Sequence, residues 1–106
     1  MNQERIKRLN EFLQDDPKDP FSKYALAIEY LNNNKQKSKE LFDDLLLNHS
    51  EYIATYYHAA ALYSELNQRE KAEEIYEQGI ALAEELNESH ALRELKSAYL
   101  NFQFEE

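Results

Sequence analysis

The chain has 106 residues, with no cysteine, one glycine and two prolines, and its 12 lysines and arginines against 21 aspartates and glutamates give a formal charge of -9. That inventory excludes a disulfide framework, a zinc-thiolate site, a cysteine nucleophile and a glycine-rich phosphate loop, and the negative surface repels a nucleic-acid backbone. With 42% hydrophobic and 31% charged residues and little punctuation for turns, the expectation is one all-α domain, cytoplasmic, with no membrane span and no cofactor.

From Asn2 to Gln14, the residues Ile6, Leu9, Phe12 and Leu13 recur at spacings of three and four, which predicts an amphipathic helix. Asp15-Asp16-Pro17 ends it, and Asp19-Pro20 opens a second helix carrying Phe21, Tyr24, Ala25, Ala27, Ile28 and Leu31. Asn32-Asn33-Asn34 is expected to stop that helix, because asparagine tolerates left-handed backbone angles. A third helix is predicted from Gln36 to Leu47, with Leu41, Phe42, Leu45 and Leu46 as its buried stripe, and Asn48-His49-Ser50 as its end.

The fourth is predicted from Ile53 to Leu66, through Ala54, Tyr57, Ala60, Ala61 and Tyr63. A fifth begins near Glu70 and carries Ala72, Ile75, Tyr76, Gly79, Ile80 and Ala83. Asn87 to Ser89 then caps a last helix using Ala91, Leu92, Leu95, Ala98 and Tyr99. Six helices with short connections and no strand candidate make a stack of helix hairpins the simplest architecture.

An internal repeat refines this. Shifting the chain by 33 residues superposes Tyr24 on Tyr57, Ala27 on Ala60 and Tyr30 on Tyr63, and a shift of 34 then carries Ser38, Leu41, Phe42 and Leu45 onto Ala72, Ile75, Tyr76 and Gly79. A shift of 33 also lays Leu9, Phe12, Leu13 and Pro17 on Phe42, Leu45, Leu46 and Ser50, so the first helix reads as the second half of a repeat. A period near 34, small residues at Ala60 and Ala72, aromatics at Tyr56, Tyr63 and Tyr76, and Gly79 resemble the tetratricopeptide repeat pattern. Lys23 departs from it, standing where a large apolar residue is usual. Asp16-Pro17-Lys18-Asp19-Pro20-Phe21 and Tyr24 to Tyr30 are also similar to a group of small bacterial proteins with two such repeats behind a short helix.

The resemblance implies one domain over 1–106: a capping helix at 2–14, repeats at 19–50 and 52–85, and a second cap at 88–102. Small residues at Ala27, Ser38, Ala60 and Ala72 are expected to let paired helices approach closely, with Tyr30, Phe42, Tyr63 and Tyr76 filling space between hairpins. Gly79, the sole glycine, costs about 1 kcal/mol against alanine inside a helix, which predicts a close helix contact that alanine tolerates and leucine does not.

In the family this resembles, the first helix of each hairpin lines a concave groove for an extended or helical peptide. Carried over, the partner-binding places are Tyr24, Ile28, Leu31 and Asn32 in the first repeat, and Ala54, Tyr57, Ala61, Ser64 and Glu65 in the second. Tyrosine suits such a surface, offering a large apolar body with a polar tip. The basic clamp that grips a C-terminal carboxylate is missing from these places. The expected function is therefore a protein-interaction scaffold for a peptide or partner helix, not an enzyme. The alternative is assembly through a homodimer at the apolar end formed by Tyr99, Phe102 and Phe104. His49, His58 and His90 lack metal-ligand spacing, so no metal site is predicted.

Overall fold

Three side chains start the first three helices. In the computed structural model, which describes residues 2–105, α1 (Gln3–Asp15) is capped by Asn2, whose side chain accepts a hydrogen bond from the Arg5 amide at 3.0 Å. Asp19 caps α2 (Pro20–Tyr30), accepting from the Phe21 and Ser22 amides at 3.3 Å each, and Pro20 supplies the fixed φ of a first helical turn. Asn34 caps α3 (Lys35–Asn48) by accepting from the Lys37 amide at 3.1 Å. The remaining helices, α4 (Ala54–Glu65), α5 (Arg69–Glu85) and α6 (Ser89–Phe104), start without a side-chain cap bond.

The all-α class is as expected: six helices and no strand among the described residues. One chain-stop argument is corrected. The left-handed asparagines are Asn67 (φ 62°) and Asn87 (φ 56°), after α4 and α5, and none lies in Asn32-Asn33-Asn34. At both left-handed sites the next amide reaches back across the turn, from Gln68 to the Tyr63 carbonyl and from Glu88 to the Ala83 carbonyl, each at 2.9 Å. That closure needs positive φ, and asparagine provides it where no glycine is present. Asn34 instead serves the helix that follows it.

The helices form two compact units, one ending at Tyr52 and the other beginning at Ile53. In the first, α2 packs on both α1 and α3. Ile6 and Leu9 of α1 meet Ala25 and Leu26 of α2, with Leu13, Tyr30 and Leu41 packed around them. Ala27 and Ser38 are fully buried, and the Ser38 hydroxyl donates to the Ala27 carbonyl at 2.7 Å, so the small pair brings α2 and α3 close and satisfies its own polar atom.

In the second unit α4 pairs with α5, and α6 packs on both. Ala60, Ala72 and Ile75 are fully buried, and Tyr56, Tyr63, Tyr76, Leu95 and Phe102 nearly so. Each large apolar side chain buried this way stabilises the fold by about 1.5 to 3 kcal/mol. A Cβ on Gly79 would lie 2.7 Å from the Tyr56 Cβ and 3.3 Å from the Leu95 Cδ1. The close contact is there, but it is tighter than expected and leaves no room for alanine.

Phe102 lies with Tyr76 at 5.4 Å and Tyr99 at 6.2 Å between ring centroids, under an Arg69 guanidinium 4.1 Å from its ring. Arg69 also donates to the Phe102 carbonyl at 2.8 Å, fastening the end of α6 to the start of α5.

Candidate functional site

On α2, Tyr24 and Ile28 are half-buried, with the Tyr24 ring 5.9 Å from Tyr52. Leu31, also half-buried, and the exposed Asn32 lie just past the last helical residue, Tyr30. On α4, Ala54, Ala61 and Ser64 are half-buried while Tyr57 and Glu65 are exposed. Spacings of three and four put Ala54, Tyr57, Ala61 and Ser64 along one side of α4.

Tyr57 stands out in this set. It keeps 42% of its surface exposed, although it sits in the first turn of a helix whose other tyrosines, Tyr56 and Tyr63, are 5% exposed. Its ring meets the edge of His58 at 5.2 Å. Burial, only partly opposed by Glu94, holds the His58 imidazole below its usual pKa and therefore favours the neutral ring.

Beside Tyr57 opens a cavity of about 350 Å³ whose other walls come from α6: His90, Arg93, Glu94, Ser97, Ala98 and Asn101. The His90 ring lies 3.4 Å from Glu94 one turn on. Of the nine residues expected at a binding surface, Tyr57 alone lines this cavity. The sequence expectations for α6 are a cap and an apolar end, not this face. A signal was present, since His90, Arg93 or Glu94, Ser97 and Asn101 mark a polar stripe at helical spacing on a helix whose opposite side is apolar.

At the apolar end of α6, Phe102 is 5% exposed and packs into the core of its own chain. The Tyr99 hydroxyl donates to Glu73 and Glu77, 3.2 Å from each. Desolvation and those two carboxylates push its phenol up to about 12. Leu100 and Phe104 remain exposed, at 54% and 80%.

Lys23, the departure from the repeat pattern, is nearly buried and ion-paired: its Nζ is 3.0 Å from Asp44 Oδ2 and 3.4 Å from His49 Nε2. A second cavity in the same unit, of about 250 Å³, has Leu13, Leu26, Tyr30 and Leu41 as its apolar lining. Among the described residues no three histidines or carboxylates converge as a metal site, and no helix is long and apolar enough to cross a membrane.

Two solved structures resemble the chain over most of its length. A crystal structure of a tetratricopeptide repeat domain protein from Salinibacter ruber is 38% identical, with a TM-score of 0.79 over 84% of this chain and 100% of that one. A solution NMR structure of a tetratricopeptide repeat domain protein from the same organism is 39% identical, with a TM-score of 0.80 over 86% of this chain and 93% of that one. No family model matches the sequence. No curated protein matches it either.

Proposed function

Since the chain belongs to the tetratricopeptide repeat family, we propose that it is a protein-interaction module that holds a peptide or partner helix against Tyr57, in the cavity between α4 and α6. One observation carries this reading: a large aromatic ring stands exposed on the first turn of α4, at the edge of a cavity walled mostly by polar side chains. An aromatic anchor beside several hydrogen-bonding groups suits peptide recognition, where the apolar body supplies affinity and the polar atoms fix orientation.

Ala54 and Ala61 keep α4 low on either side of the Tyr57 ring, and Ser64 and Glu65 extend the same helix toward its end. Tyr24 and Ile28 on α2, with Leu31 and Asn32 just beyond its end, form a separate contact face. Tyr24 is the weaker anchor, because part of its ring is spent on Tyr52.

Peptides selected against the wild-type chain from a displayed library provide the probe. Their affinity is expected to fall at least about tenfold, or about 1.4 kcal/mol, in Tyr57→Ala, and to fall in Arg93→Ala. Phe21→Ala, at an exposed residue outside the cavity, is expected to leave it unchanged. Selected peptides that bind Tyr57→Ala and Arg93→Ala as tightly as wild type place recognition elsewhere.

A further inference from the structure

We propose that copies of this chain associate head to tail, the outer face of α6 in one copy docking on α1 of the next. The outer face of α6 also carries Arg93, Ser97 and Asn101 of the Tyr57 cavity, so a docked copy and a bound peptide would share one side of that helix, but the inference does not need the peptide-binding reading and its test uses no peptide.

The repeat pattern makes α1 a counterpart of α3, the second helix of its hairpin, with Leu9 matching Phe42 and Phe12 matching Leu45. Phe42 and Leu45 are both fully buried. In α1 the outcome divides: Leu9 is buried, yet Phe12 is 57% exposed. A residue suited to the inside of a hairpin therefore stands on the surface.

α6 has the complementary deficit. Its contacts with both α5 and α4 are those that the first helix of a further hairpin would make, and Leu95 and Phe102 face them. At about 100° per residue, Leu100 and Phe104 point roughly 140° and 180° away from Leu95. They lie on the side where a second helix would complete the pair, and they are 54% and 80% exposed. α6 of one copy and α1 of another supply the two halves of one hairpin.

Charge favours this arrangement over two copies meeting through the same end. From Ile53 onward there are four lysines and arginines against eleven aspartates and glutamates, whereas up to Tyr52 there are eight against ten. Joining two C-terminal ends brings the more acidic halves together. Docking α6 on α1 instead sets the more acidic half, Glu105 included, against the less acidic one, on a helix with Arg8 one turn before Phe12 and Asp15 three residues after it. Such a contact uses a different patch on each partner, so each added copy leaves one patch of each kind free until a ring closes.

Sedimentation velocity at rising concentration tests this with the whole chain. Wild type is expected to self-associate as concentration rises, while Phe12→Glu and Phe104→Glu, each changing an exposed residue, remain at the 12.6 kDa monomer. Mixed in equal amounts, the two variants are expected to reach twice that mass and stop, because one retains a sound α6 and the other a sound α1. Arg8→Glu and Leu100→Glu repeat the test without altering either phenylalanine. Wild type that stays monomeric throughout, a single variant that still dimerises, or a mixture that stays monomeric overturns the proposal.

Discussion

Gly79 shows how far one residue can be read without its neighbours. A lone glycine inside a helix points to a close approach, and the approach is present. Its tightness was hidden, because the atoms that crowd it come from Tyr56 on α4 and Leu95 on α6. Tyr56 is buried and its Cβ is fixed to the backbone, so it cannot swing aside. Gly79→Ala gains about 1 kcal/mol of helix propensity but meets an overpacking cost of about 1 to 3 kcal/mol. The melting temperature is expected to fall by a few degrees, and by more for Gly79→Leu, in a calorimetric scan of the three proteins. An alanine variant that melts above wild type removes the crowding account.

At the scale of elements, periodicity located all six helices, because each has an apolar stripe that must be buried. Their ends were less legible, since caps depend on which amide a short polar side chain happens to reach, and Asn34 and Asn67 play opposite parts with the same side chain. The α2–α3 hairpin holds a further device that no stripe announces. Lys23 takes an apolar place, and Asp44 and His49 on the facing helix and its cap make that tolerable. Burying such a pair costs much of what the attraction returns, whereas leaving one member alone costs more. Lys23→Met is therefore expected to be as stable as wild type or more so. Asp44→Ala, which strands the ammonium, is expected to lose about 1 to 2 kcal/mol in urea titration, the half-exposed site softening the loss. Equal losses from both substitutions would show that the pair is a net stabiliser.

For the whole molecule, stability should fall in two stages on acidification. His58 binds its proton less readily folded than unfolded, so the stability held above its ordinary value of 6.5 is lost as pH drops below that value toward the folded one. Asp19 lies below the ordinary 3.8 because the Ser22 hydroxyl and nearby amides donate to it against the effect of burial. For Asp44, burial pushes upward, but hydrogen bonds from Asn48 and Lys23 outweigh it. Both aspartates contribute above 3.8, and that contribution is lost as pH falls through their lower folded values. Thermal melts of His58→Gln are expected to lack the decline between about pH 7 and pH 5 and to keep the one below pH 4. A decline between pH 7 and 5 that persists in the variant assigns it to other groups.

The proposed anchor at Tyr57 also has an optical consequence. The chain has eight tyrosines and no tryptophan, so light at the red edge of protein absorption, which only indole takes up, leaves it dark. A partner whose tryptophan settles against that ring can be watched by its own emission, unlabelled, with the domain that holds it contributing no background.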